Sequence, residues 1–201
     1  MEFKMRIKNL TSLTIGGGSV IVGTDIPFSE LEIPSSSIKG VLRTAVTQFL
    51  PQGFTSCNEV EPKMIRQAHR GKEPCDVCQL FGYPDARTEG CVNFMVETKD
   101  LKKYRLMRVS IEDKTQKAKE GALFSQEVVK PGTEVVVNVI YRDNCGERLL
   151  KLLLSSVLAL RYWRLGRNAL VDVKLEEDLC KRVKCDPEMG KIVGLLTNYM
   201  W

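Results

Sequence analysis

The residues best suited to chemistry in this chain are Cys57, His69, Cys75 and Cys78. Cys75-Asp76-Val77-Cys78 is a CxxC knuckle. His69, the single histidine of the chain, precedes it by six positions, and Cys57 lies upstream in the same irregular stretch. Three thiolates and one imidazole make the closed tetrahedral shell of structural zinc, with no position left for a catalytic water. A redox CxxC would open a helix directly after a strand, and no strand precedes Cys75. Cys91 is the alternative fourth ligand should Cys57 not serve. Of the others among the seven cysteines, Cys180 and Cys185 are close enough in sequence to pair, but read as buried or free thiols. An odd count and an N-terminus alternating charged and apolar residues argue against a secreted disulfide framework and against a signal peptide. The expected location is cytoplasmic.

A second group of residues suits an anionic polymer. The chain carries a formal charge of +5 and a pI near 8.8. Its cations concentrate in residues 99–119, where Lys99, Lys102, Lys103, Arg105, Arg108, Lys114, Lys117 and Lys119 face only Asp100, Glu112 and Asp113. Gly16, Gly17 and Gly18 would let a nucleic-acid backbone approach the main chain. As a bland alternative they form a turn. Ser35, Ser36 and Ser37 are read as the N-cap of a helix carrying Lys39 and Arg43 one turn apart, and free amides at a helix start attract phosphate. Arg161-Tyr162-Trp163-Arg164 interleaves cations with aromatics, as stacking surfaces do. A buried Trp at a helix end is the alternative there. No Walker loop, GxGxxG or Ser-His-Asp arrangement is visible, which sets nucleotide hydrolysis and triad chemistry aside.

These residues must be positioned by elements that the hydropathy pattern outlines. Phe3, Met5 and Ile7 alternate with Lys4, Arg6 and Lys8, the period of a strand with one wet face. Ile38, Val41, Leu42, Ala45, Val46 and Phe49 recur at helical spacing before Pro51. Residues 91–97 read as a strand. Residues 105–112 and 122–129 read as a hairpin with a turn from Lys114 to Gly121. Val135 to Tyr141 is a further strand, 147–162 a Leu-rich buried helix, and 171–175 a last strand. With the hairpin set aside, the order is strand, helix, strand, strand, helix, strand, the split-βαβ pattern. The expected fold is α+β, a ferredoxin-like βαββαβ core. No apolar run is long enough for a membrane helix.

Several segments resemble the RAMP superfamily, whose members build type III CRISPR–Cas effector complexes. They are Thr14-Ile15-Gly16-Gly17-Gly18, then Ile33-Pro34-Ser35-Ser36-Ser37-Ile38-Lys39-Gly40-Val41-Leu42-Arg43, then Cys75-Asp76-Val77-Cys78-Gln79-Leu80-Phe81-Gly82, and Gly121 to Glu127 with Pro131-Gly132-Thr133. They fall in family order from about residue 10 to about residue 175. The nearest type is the repeating backbone subunit of Csm and Cmr complexes. That resemblance implies a single RAMP domain: a palm over 1–56, 90–104 and 133–176, a zinc insertion over 57–89, a thumb hairpin over 105–132, and a C-terminal appendage over 177–201. It implies guide (CRISPR) RNA and complementary target RNA as partners, with further copies of the chain and other RAMP or Cas subunits alongside. The RNA-contacting set would be Gly16–Gly18, Ser35–Ser37, Lys39, Arg43, Arg105, Arg108, Lys114, Lys117, Lys119 and Arg167, the last within Leu165-Gly166-Arg167-Asn168. Asp25-Ile26-Pro27 resembles the Asp-x-Pro element of target-cleaving members, which makes Asp25 the candidate catalytic residue with Mg²⁺ or Mn²⁺. The segment from Asp25 to Pro34 is shorter than in those members, so a non-catalytic or capping RNA-binding subunit is the other role the resemblance allows.

Overall fold

The computed structural model describes residues 1–18, 22–86, 88–97 and 101–201. Lys99 and Asp100 of the basic segment lie outside them. At the centre is β1 (Glu2–Asn9), in which Phe3, Met5, Ile7 and Asn9 are buried while Lys4, Arg6 and Lys8 point to the other face. Antiparallel partners flank it: β5 (Glu134–Tyr141), with Met5 opposite Val137, and β7 (Ala169–Leu175), with Ile7 opposite Val173. β2 (Val92–Glu97) adds to the far side of β5, and the short β6 (Arg164–Leu165) to β7. The order is therefore β2-β5-β1-β7-β6, antiparallel throughout.

Two helices cover the apolar face. α1 (Ser35–Gln48) buries Ile38, Leu42, Ala45 and Val46, and α4 (Gly146–Leu160) buries a broad leucine arc. Both join the sheet residues in one apolar core. The expected serine cap on α1 is not formed. Pro34 occupies the cap position, its carbonyl accepting the amides of Ser37 and Ile38, and the serines make up the first turn. Proline has φ preset for this approach, and the φ of −60° at Pro34 matches it.

Between α1 and β2 lie α2 (Pro62–Ala68) and α3 (Asp76–Phe81). α3 is not peripheral, since Val77, Leu80 and Phe81 belong to the core. β3 (Lys103–Ile111) and β4 (Ala118–Val129) form the separate hairpin, with a tighter turn than the sequence pattern suggests, so Lys119 lies in a strand. The outer part of the hairpin is exposed. Its root is buried at Ser125, Gln126, Val128 and Val129. α5 (Pro187–Leu196) closes the chain, docking Met189, Val193 and Leu196 into the same core.

The cysteines correct one expectation. Cys180 pairs with Cys185 and Cys91 with Cys145, both as disulfides. Cys91 is thereby removed as an alternative ligand. Sequence distance concealed the second pair, whose members are 54 positions apart and are brought together where the start of β2 pairs with the end of β5, Val92 opposite Tyr141.

Candidate metal centre and nucleic-acid interface

Cys57, His69, Cys75 and Cys78 converge, with their ligand atoms all within 4.8 Å of one another. Cys57 precedes α2, His69 follows it, Cys75 sits at the start of α3 and Cys78 lies within α3. The Cys57 and Cys78 sulfurs are 3.7 Å apart, and Cys75 Sγ is 3.8 Å from His69 Nε2. A tetrahedron with sulfurs about 2.3 Å from its centre has edges of about 3.8 Å. The donors therefore fit a tetrahedral metal ion. The hydrogen bond that Cys75 receives from Cys78 draws the Cys75 thiol well down, and Cys78 is pushed up by donating it.

Two arginines brace this centre. Arg43, on α1, donates from Nη2 to Cys78 Sγ at 2.9 Å and from Nη1 to the Gly82 carbonyl at 2.7 Å. Arg148, on α4, reaches the Asp76 carboxylate and the Gly53 carbonyl and lies over the Phe54 ring. Asp76 also accepts the amide and hydroxyl of Thr55. Burial opposes the charge on Asp76, but the bonds from Arg148 and Thr55 hold its carboxyl below the ordinary range. Sequence reasoning missed Arg148, which bears no recognisable motif.

The residues expected to touch nucleic acid do not form one patch. A cleft of about 690 Å³ opens between the hairpin and the β6–β7 turn, lined by Ser12, Arg108, Phe124, Gln126 and Arg167, among others. Gly16 borders it, with Arg167 Nε 3.9 Å from where a Cβ on Gly16 would stand. Gly166 makes the cleft's floor possible. At φ +57° it passes so close to Thr14 that an added Cβ would be 2.2 Å from the Thr14 oxygen. Gly17 has a comparable internal reason to be glycine, because a Cβ there would meet the Phe28 oxygen at 2.8 Å. Gly18 meets nothing and is exposed.

Arg105 and Arg108 are an odd number of positions apart on β3 and so face opposite sides of the hairpin. Arg108 faces the cleft. Arg105 lies beside Gly23 and Asp25. Lys114, Lys117 and Lys119 are exposed toward the hairpin tip. Ser35 and Ser36 are exposed at the start of α1, with Ser37 half-buried, while half-buried Lys39 lines another recess with Gly82 and Glu89. Burial, followed by Arg43 and Arg142, lowers the Lys39 pKa. Arg43 is turned inward to the sulfur cluster, away from the role expected of it.

Asp25 lies in a loop stitched onto β4. Ile26 donates to the Ser125 carbonyl, and Glu127 donates to that of Ile26. The Asp25 Oδ2 accepts both the Ser125 amide, at 2.7 Å, and the Ser125 hydroxyl, at 2.9 Å. Those bonds, the amide first, hold the carboxyl below its ordinary value. The carboxylate's own backbone amide and the nearby Arg105 act in the same direction.

The model of the RAMP superfamily matches residues 6–169. This chain belongs to the RAMP superfamily. The RAMP match begins within β1 and takes in the glycine turn, the sulfur cluster, the hairpin and the Gly166 turn. At the family level, RAMP proteins bind RNA, are linked to type III CRISPR complexes and work in multi-subunit assemblies. No curated protein matches the chain. Among the described residues of this RAMP protein, no helix is long and apolar enough to cross a membrane.

Proposed function

We propose that this RAMP protein is a guide-RNA-binding backbone subunit of a type III CRISPR interference complex, with the β3–β4 hairpin as its thumb and zinc in the sulfur cluster. The strand order, with two helices on one face, supports a ferredoxin-like palm. The observation that carries the RNA reading is the cleft between thumb and palm, where Arg108 and Arg167 converge beside Gly16. Guanidinium groups and bare backbone amides recognise phosphate without reading sequence, which suits a guide whose sequence varies. Lys114, Lys117 and Lys119 extend the positive track along the thumb.

The test is RNA binding by the purified chain across a salt series, with two unrelated single-stranded sequences. Affinity is expected to fall steeply with salt and to be similar for both sequences. Arg108→Ala and Arg167→Ala should each lower the salt slope by about 0.7. Unchanged slopes in both variants would place the RNA elsewhere.

On this reading Asp25 cleaves target RNA with Mg²⁺ or Mn²⁺, its Oδ1 holding the ion or orienting the ribose hydroxyl toward the neighbouring phosphate. One observation favours a non-catalytic subunit instead: the paired bonds from Ser125 to Oδ2 make Asp25 an anchor for its loop. Assembled complex with guide, complementary RNA and Mg²⁺ separates the two. Cleavage by wild type that is lost in Asp25→Asn assigns catalysis to the carboxylate. Equal cutting by both removes it.

A further inference from the structure

We infer that Arg43 is the charge-balancing partner of the metal centre and a positioning residue for Cys78, not a contact for RNA. The inference rests on zinc occupying the cluster, as proposed above. Three thiolates and a neutral imidazole around a divalent ion leave a single net negative charge. Arg43 brings one fixed positive charge to that shell. Its Nη2 donates to Cys78 Sγ at 2.9 Å, and its Nη1 to the Gly82 carbonyl at 2.7 Å. The two bonds hold the guanidinium plane across the end of α3, from the sulfur to the residue that terminates the helix.

Cys78 is the ligand that most needs such a partner. It is the one fully buried member of the four, set in α3 between Val77 and the core residue Leu80. A buried thiolate loses solvation, and a hydrogen bond from a cation replaces part of it. Water can solvate the half-buried Cys57, His69 and Cys75 instead. The position of Arg43 on α1 also follows. It lies one residue beyond Leu42, which is fully buried, so its side chain leaves the core edge where α3 packs. Groups that hold a metal ligand in place typically contribute roughly ten- to a hundredfold in metal affinity.

Lysine could supply charge but not the planar fork that reaches sulfur and carbonyl together. Arg148 is the internal control, since it braces the same knuckle through Asp76 and Gly53 without touching a sulfur.

The experiment loads purified wild type, Arg43→Met, Arg43→Lys and Arg148→Met with zinc. It measures zinc content, zinc affinity by chelator competition, and the sulfur-to-metal absorption band after cobalt substitution. RNA affinity is measured on the same samples. Wild type should hold one zinc per chain. Arg43→Met should bind zinc roughly ten- to a hundredfold more weakly and shift the cobalt band, with Arg43→Lys between the two. Arg148→Met should leave the band unshifted. Metal affinity and cobalt band both unchanged in Arg43→Met would overturn the assignment. So would RNA affinity lost at unchanged zinc affinity. If Arg43→Met fails to fold, Arg43→Lys decides on the same two readouts, and its matching wild type in both overturns the assignment. Wild type without metal would instead defeat the zinc reading itself, a result distinct from any behaviour of the variants.

Discussion

Replacing Arg161 with alanine is expected to destabilise the protein by about 3–5 kcal/mol, the usual consequence of stripping one partner from a buried ion pair. Arg161 and Asp172 have side chains 2% and 0% exposed, and their closest atoms are 2.9 Å apart. The guanidinium also donates to the carbonyls of Val173, Leu195 and Asn198. Asp172 in turn accepts the amides of Met200 and Trp201. One pair thus fastens the end of α4, strand β7 and the chain's last residues together. Alanine would leave Asp172 charged, buried and facing only backbone amides. Urea unfolding should show the midpoint falling with little change in slope, and the melting temperature should drop by roughly 10 °C. Arg161→Met/Asp172→Leu should recover much of the loss, because an apolar pair removes the stranded charge. A drop below about 1 kcal/mol in Arg161→Ala would show that the pair is not holding the tail.

That buried pair marks a boundary of what the sequence makes legible. Arg161-Tyr162-Trp163-Arg164 has the composition of a stacking surface, but Arg161 points into the protein because Asp172 waits on the neighbouring strand. The type of residue was visible and its direction was not. The same holds for Arg43, which shares a helix turn with Lys39 yet turns toward Cys78. Local patterns did better. The period-two strand at Phe3–Ile7 and the helical spacing from Ile38 to Val46 define those elements because burial of one face is a local rule. The sulfur cluster was legible for a different reason. Few jobs require three cysteines and the chain's single histidine within one irregular segment, so their types limited the chemistry before any geometry was known. What stayed hidden depends on contacts distant in sequence: the Cys91–Cys145 pair, the Asp25 loop bound to Ser125, and the close pass of Gly166 over Thr14. Only tertiary packing brings those residues together.

Stripping metal from zinc-loaded protein is expected to loosen the segment from Cys57 to Pro74 while leaving the five-stranded sheet and its two helices folded. The two sides of the cluster are held differently. Cys75 and Cys78 belong to α3 and its cap, and Val77, Leu80 and Phe81 fix that helix in the core. Arg148 and Thr55 fix it further through Asp76. Cys57 and His69 have far less behind them. Between them only Ile65 is buried, and α2 is seven residues long, too short to persist alone. A metal ion would therefore supply most of the order in this segment, since its binding free energy becomes folding free energy where no core exists. Trypsin reports on this directly. Lys63, Arg66, Arg70 and Lys72 are exposed sites in or beside α2. In metal-loaded protein they should resist cleavage while the segment is ordered. After treatment with a strong chelator, or in Cys57→Ser, cleavage at these sites should accelerate by tenfold or more, given a shift of at least about 1.4 kcal/mol toward the open segment. Amide exchange should rise over the same residues and stay slow in β1, β5 and β7. Equal protection with and without chelator would mean the segment is ordered by its own packing, and uniform loss of protection would mean the metal holds the whole sheet and its helices.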